Sequence, residues 1–350
     1  MSQWNTLLQT YQVTLSEQED EIISVPEHDS QTRIIPLLHN RVISIIGPEA
    51  EKFLQGQLSC DMRDTSQLGS RLGAHCNIKG GMLALYRVIA VEGGFWLRMH
   101  QDILDGGLKN IKKYIMFSKA EAEDQSEHIV GLGLMGPGAS TLVEKLFDTV
   151  PSETDKAIRA GQMIAVKVPG DRYEIWLPVQ EAEAVLQQLT RLAPLGTTQD
   201  WILEEIKAGI PDVRLATLET FIPQMTNLQA LKGVSFNKGC YTGQEIVARL
   251  QHRGKLNKPM YLAQINTDTL PQAGDKLHTA EKQNVGQIVL ASRSGDNEVT
   301  LLAVINKKQV DEGQSIHLDS TEKAEGEEGP ALQILELPYE LDPELFVSKR

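Results

Sequence analysis

The residues of this chain best placed to do chemistry lie in one run, Lys238-Gly239-Cys240-Tyr241-Thr242-Gly243-Gln244-Glu245. A helix is expected to start after Thr242 and to close near Arg253. A thiol just before a helix N-terminus and two residues from a lysine sits where thiol pKa values fall and reactivity rises. Cys240 is therefore the candidate nucleophile or carrier, and Lys238 its candidate assisting cation. The same helix mouth also suits an anion.

The helix itself accounts for part of the run. Thr242 as N-cap puts Glu245 at N3, a capping box, with Tyr241 and Ile246 placed as a hydrophobic staple. Glu245 precedes Arg249 by four residues, the favourable order for an exposed ion pair. Arg253 and Gly254 read as the end of the helix, the glycine as a left-handed cap. Local punctuation thus explains Thr242, Gly243 and Glu245 and leaves Lys238-Gly239-Cys240 unexplained. Charge adds to this. Residues 232–258 carry six basic residues (Lys232, Lys238, Arg249, Arg253, Lys255, Lys258) against Glu245 alone, in a chain of net charge −13. Such a segment is ordinarily a solvated face, but a reversal of this size favours an anionic ligand or partner.

The acidic balance, with pI near 5.2, opposes sequence-independent attraction to nucleic acid or anionic membrane. No apolar run is long enough for a transmembrane helix. The first 30 residues hold six acids and no Lys or Arg, the wrong charge for a secretory or mitochondrial leader, so a cytoplasmic location is expected. Cys60, Cys76 and Cys240 lie far apart without metal-ligand spacing, which predicts free thiols, no disulfide and no metal site.

The elements around the motif read as α+β. A polar helix is expected near residues 5–11 and a β-branched strand at 41–46, ending at Gly47-Pro48 before a helix. Strands follow around the turns Gly80-Gly81 and Gly93-Gly94, then an amphipathic helix at 101–117. A strand ending at Gly136-Pro137 before another helix repeats the first unit, which suggests two similar lobes. A strand at 173–177, a helix at 180–192 and a helix capped by Thr198 and ended by Gly209 and Pro211 complete this part. Beyond residue 257, short alternating strands with Gly, Asp and Pro turns predict a small all-β barrel. The acidic run 322–328 reads as a solvated loop.

The motif KGCYTGQE, with "FIPQMTNLQALKGVSFN" before it and "VARLQHRGK" after it, resembles the signature of the YgfZ family of folate-binding proteins. "KFLQGQLSCDM", "AHCNIKGGM", "KKYIMFSKA", "GLMGPGA" and "WILEEIKAGIP" match in order, over nearly the whole chain. The resemblance implies the fold of the glycine-cleavage T protein, an aminomethyltransferase: a cloverleaf of two interleaved α+β domains around a central channel, here residues 1–255, plus a C-terminal β-barrel, here 256–350. It implies tetrahydrofolate or a derivative as cofactor, and a role in synthesis or repair of iron-sulfur clusters in client proteins. Among the clients would be radical enzymes that methylthiolate tRNA, an indirect link to tRNA.

Residue by residue, Lys238, Gly239, Cys240, Tyr241, Gly243, Gln244, Glu245 and Arg249 fall on the family motif. Trp201 falls on a folate-associated tryptophan, with a plain core reading beside it. Glu174 falls where T proteins read the pterin ring, with a surface strand acid as the alternative. Asn77 and Lys79 are channel candidates or loop residues, and Tyr241, Gln244 and Arg253 complete the folate-binding set. Cys76 is a second thiol that could face Cys240, or a small buried one, the reading expected for Cys60. Two departures stand out. Ala84 and Leu85 occupy the positions of an aspartate pair in T proteins, and neither can ionise or position a proton, which argues against ordinary aminomethyl transfer. Asn40 stands where a folate-associated tryptophan can occur. The readings left open are a folate-binding accessory protein, a one-carbon transferase using Cys240, and a non-catalytic scaffold with a basic docking face.

Overall fold

The alternation of side chains along two central strands explains most of the architecture that bears on function. The structure is a computed structural model and describes residues 2–319 and 329–348. The acidic run 322–328 lies outside the described residues. The chain forms two compact units, each assembled from separate segments: Met1–Gln55, Cys60–Gly73 and Tyr86–Trp201 in the first, Gly56–Ser59, Ala74–Leu85 and Ile202–Arg350 in the second.

In the first unit, a five-stranded antiparallel sheet has the order Ala157–Ala160, Met163–Val168, Arg172–Pro178, Ile129–Met135, Arg33–Pro36. Successive strand residues face opposite sides. Tyr173, Ile175 and Leu177 join Val130, Leu132 and Leu134 on one face, in a core covered by helices Ala139–Phe147 and Ala182–Leu189. The other face receives Glu174 and Trp176 between them, with Ile164, Val166 and Trp201 in a second apolar cluster. "IVGLGLM" has glycine where this face needs room. A Cβ at Gly131 would lie 2.6 Å from the Trp176 ring, and one at Gly133 2.5 Å from the Trp201 ring.

A further five-stranded sheet runs Ser70–Cys76, Met82–Val91, Gly94–His100, Asn40–Ile46, Glu121–Asp124. The Gly93 turn sets a register that places Arg87 directly opposite Arg98. The repeated design read from the sequence is present: strand Asn40–Ile46, then Gly47-Pro48 and helix Ala50–Gln55; strand Ile129–Met135, then Gly136-Pro137 and helix Ala139–Phe147. Helix Thr198–Lys207 is capped one residue earlier than expected. Thr197 and Asp200 exchange bonds, Thr197 N to Asp200 Oδ2 at 2.8 Å and Asp200 N to Thr197 Oγ1 at 3.2 Å. Thr198 instead accepts from Ile22 N at 2.9 Å, deep in the unit.

The second unit holds helix Gln244–Arg253 and a six-stranded antiparallel sheet curled as a half-barrel. Its order is His317–Leu318, Lys276–His278, Gly286–Gly295, Glu298–Ile305, Met260–Asn266, Gln333–Leu335. Alternate residues Leu301, Ala303 and Ile305 meet Ala263, Ile265, Leu277 and Ile288 in its core. Strand Lys276–His278 and the short helix Lys307–Asp311 are elements that periodicity did not reveal, being too short to show a period.

Candidate functional site

The motif of the second unit is built on a close backbone approach rather than on a side-chain cap. Gly243 is at φ +84°, and helix Gln244–Arg253 starts after it without a side-chain cap hydrogen bond. The capping box expected from Thr242 and Glu245 is therefore absent. The reason is steric. A Cβ at residue 243 would lie 2.5 Å from the Asn77 carbonyl and 2.9 Å from the Cys76 Cβ, so this left-handed turn must be glycine. At the other end, Gly254 is extended, at φ −97°, and not the left-handed cap expected; its N–H still bonds to Leu250 O at 3.1 Å.

Cys240 is an exposed free thiol. Lys238, two residues before it, is buried, and its Nζ donates to the Leu58 carbonyl at 2.7 Å while lying 5.1 Å from the centre of the buried Tyr241 ring. This ammonium ties the loop down, so that the thiol stands on a fixed base. A Cβ at Gly239 would meet nothing within 4 Å, so space opens between the two. Cys76 is buried, and burial pushes its pKa up to about 12, which keeps it a protonated thiol at neutral pH. Cys60 is also buried. Asn77 closes its own turn: its Oδ1 accepts from Lys79 N at 2.9 Å and Gly81 N at 3.0 Å, while Lys79 is exposed. Gln244 is half-buried, whereas Glu245, Arg249 and Arg253 are exposed. An accessible thiol and exposed cations on one unit suit capture of an anionic ligand or attack by the thiol on an electrophile.

The first unit holds Trp201 and Glu174 in a different setting. Glu174 is 1% exposed, not the surface acid that one sequence reading allowed. Arg98 Nη2 donates to its Oε1 at 2.8 Å, Arg87 Nε lies 3.5 Å from the same oxygen, and Trp176 Nε1 donates to its Oε2 at 2.9 Å. Arg87 also pairs with Asp155 at 2.8 Å, and Asp155 with Arg71 at 2.9 Å. Burial alone raises the Glu174 pKa, but Arg98 and Arg87 outweigh it and hold the carboxyl below its ordinary value. Trp201 is fully buried; the Arg172 guanidinium lies 4.6 Å from its ring centre. Its indole Nε1 has no hydrogen-bond partner among the described residues.

Sequence reasoning missed Arg71, Arg87, Arg98, Asp155 and Arg172. The signal was an arginine inside apolar strand runs, "LALYRVIA" and "FWLRMH", where a buried guanidinium must find carboxylates. Ala84 and Leu85 are both buried in strand Met82–Val91, so apolar packing occupies the positions where an aspartate pair was the family alternative. Asn40 is buried at a strand start, its Nδ2 2.9 Å from His39 Nε2. Among the described residues no group of three or more His, Cys, Asp or Glu is arranged to hold a metal, and no helix is long and apolar enough to cross a membrane.

No family model matches the chain. Its structure superposes on the glycine cleavage system aminomethyltransferase T from Bartonella henselae with a TM-score of 0.68 and 17% identity, covering 91% of this chain and 88% of that one. The fold is that of the T protein. The heterotetrameric sarcosine oxidase from Corynebacterium sp. U-96 matches over 47% of this chain and 86% of that chain, at TM-score 0.34 and 11% identity, a likeness too low to carry argument. The T-protein fold is thus carried here by a sequence that keeps few of the same residues.

Proposed function

We propose that this chain is a tetrahydrofolate-binding accessory protein on the T-protein fold, supporting synthesis or repair of iron-sulfur clusters in client enzymes, including radical enzymes that methylthiolate tRNA. The observation that carries this reading is the combination of that fold with an exposed Cys240 in the KGCYTGQE loop and buried, non-ionisable Ala84 and Leu85. The loop's resemblance to the YgfZ signature supplies the folate and client assignments.

The residues fit such a ligand at one point in particular. Trp201 Nε1 is a buried donor without a partner, which a ligand acceptor would satisfy. Trp201, with Arg172 against its ring, would hold the ligand within the first unit. Bound tetrahydrofolate supplies nitrogens able to carry a one-carbon unit. Glu174 keeps Trp176 and the arginines in place, a positioning role, because both of its oxygens already accept hydrogen bonds or pair with guanidinium. Ala84 and Leu85 can move no proton. Cys240 remains the accessible reactive group.

Calorimetric titration with several folate species, on wild type and Cys240→Ala, followed by assay of one iron-sulfur client, tests the proposal. Binding by both proteins, with client activity lowered in a deletion strain, is expected. A deletion strain with normal methylthiolated tRNA and normal client activity would refute the physiological role. A folate-dependent turnover lost in Cys240→Ser would favour the transferase reading, which the exposed thiol keeps open.

A further inference from the structure

Away from the motif loop, the second unit contains a cavity of about 370 Å3, within the roughly 300–1,000 Å3 of small-molecule sites. Two lysines line it, Lys258 and Lys276, and no acid does. Neither lysine makes an ion pair among the described residues, although the chain carries a net charge of −13. Asp275, the acid beside Lys276 in sequence, spends its Oδ2 on the backbone N–H of Gln272 at 2.8 Å. Phe221 and Val304, both buried, supply apolar wall. Asn284, in the left-handed region at φ +55°, and Thr220 add neutral hydrogen-bonding groups.

We infer that this cavity is a binding site for a small phosphomonoester with an aromatic or apolar body. Two lysines without carboxylate partners among the described residues match a dianion better than a single carboxylate, and an ammonium acts on phosphate as a point charge without needing the planar fork that carboxylates favour. The apolar wall takes the body, and Asn284 and Thr220 orient it. None of the lining residues belongs to the KGCYTGQE loop, so the site goes beyond the folate reading.

Titration of the full-length chain with phenyl phosphate, inorganic phosphate and benzoate, on wild type and on the Lys258→Gln/Lys276→Gln double variant, tests this. Phenyl phosphate should bind wild type at least about tenfold more tightly than either other probe, since only it offers both dianion and ring. The double variant should lose at least about tenfold in that affinity, while its thermal midpoint and tetrahydrofolate affinity stay unchanged. Absence of phenyl phosphate binding, or equal binding by the variant, would overturn the site. Benzoate binding as tightly as phenyl phosphate would overturn the phosphate assignment. A parallel loss of tetrahydrofolate affinity in the variant would make these lysines part of a folate site and overturn a separate one. Wild type that binds phenyl phosphate but no tetrahydrofolate would refute the folate reading and support this one.

Discussion

Replacing Glu174 by glutamine separates two roles that a family glutamate and a structural ion would assign to the same side chain. Glutamine keeps the size and can still accept from Trp176, but it removes the charge that faces Arg98 at 2.8 Å and Arg87 at 3.5 Å. Arg71 and Arg87 would keep Asp155, while Arg98 would lose the carboxylate that it faces. Breaking a buried pair in this way costs about 3–5 kcal/mol, because an uncompensated charge stays behind. At about 2 °C per kcal/mol for a chain of this size, the thermal midpoint should fall by roughly 6–10 °C. The loss should depend on pH with a defined sign. The folded carboxyl is held below its ordinary 4.5, so its stabilisation is fully present above that pH and disappears as pH falls through the folded value. Wild type and Glu174→Gln should therefore converge in acid. Differential scanning calorimetry from pH 7 down to about pH 3 reads both effects. A midpoint that hardly moves at pH 7, together with a large loss of tetrahydrofolate affinity, would refute the structural assignment and make Glu174 a ligand reader.

Other outcomes follow from the same geometry. Ellman's reagent should find one reactive thiol in the native protein, Cys240, and all three after denaturation; a second fast thiol would place Cys60 or Cys76 differently. Gly243→Ala should destabilise by at least about 1–2 kcal/mol, since φ +84° and an approach of 2.5 Å to the Asn77 carbonyl both oppose a side chain; chemical denaturation measures it. Lys238→Met should cost about 1.5–3 kcal/mol through the lost charged bond to Leu58 O and should speed proteolysis of the 238–243 loop; an unchanged digestion pattern would argue that the ammonium is not the anchor.

The sequence showed elements with clear periods and glycine punctuation, and these include the two strand-Gly-Pro-helix units and the terminal strands. It misplaced the helix caps. Thr197 and Thr198 are adjacent and chemically alike, and only the tertiary demand of Ile22 N decides which one caps. Thr242 looked like a cap because the close approach of Gly243 to Asn77 is invisible in a linear chain. The motif residues around Cys240 were legible as one local run. The buried arginine network around Glu174 was not, because its carboxylates lie far along the chain from its arginines, 68 residues between Arg87 and Asp155 and 76 between Arg98 and Glu174.

Titration of tetrahydrofolate into wild type and Trp201→Phe bears most directly on the central claim. Phenylalanine keeps a ring in the apolar cluster and removes the unpartnered indole N–H. Saturable binding by wild type, weakened about three- to tenfold in the variant by loss of one hydrogen bond, is the predicted result. Wild type that takes up no tetrahydrofolate would contradict the account.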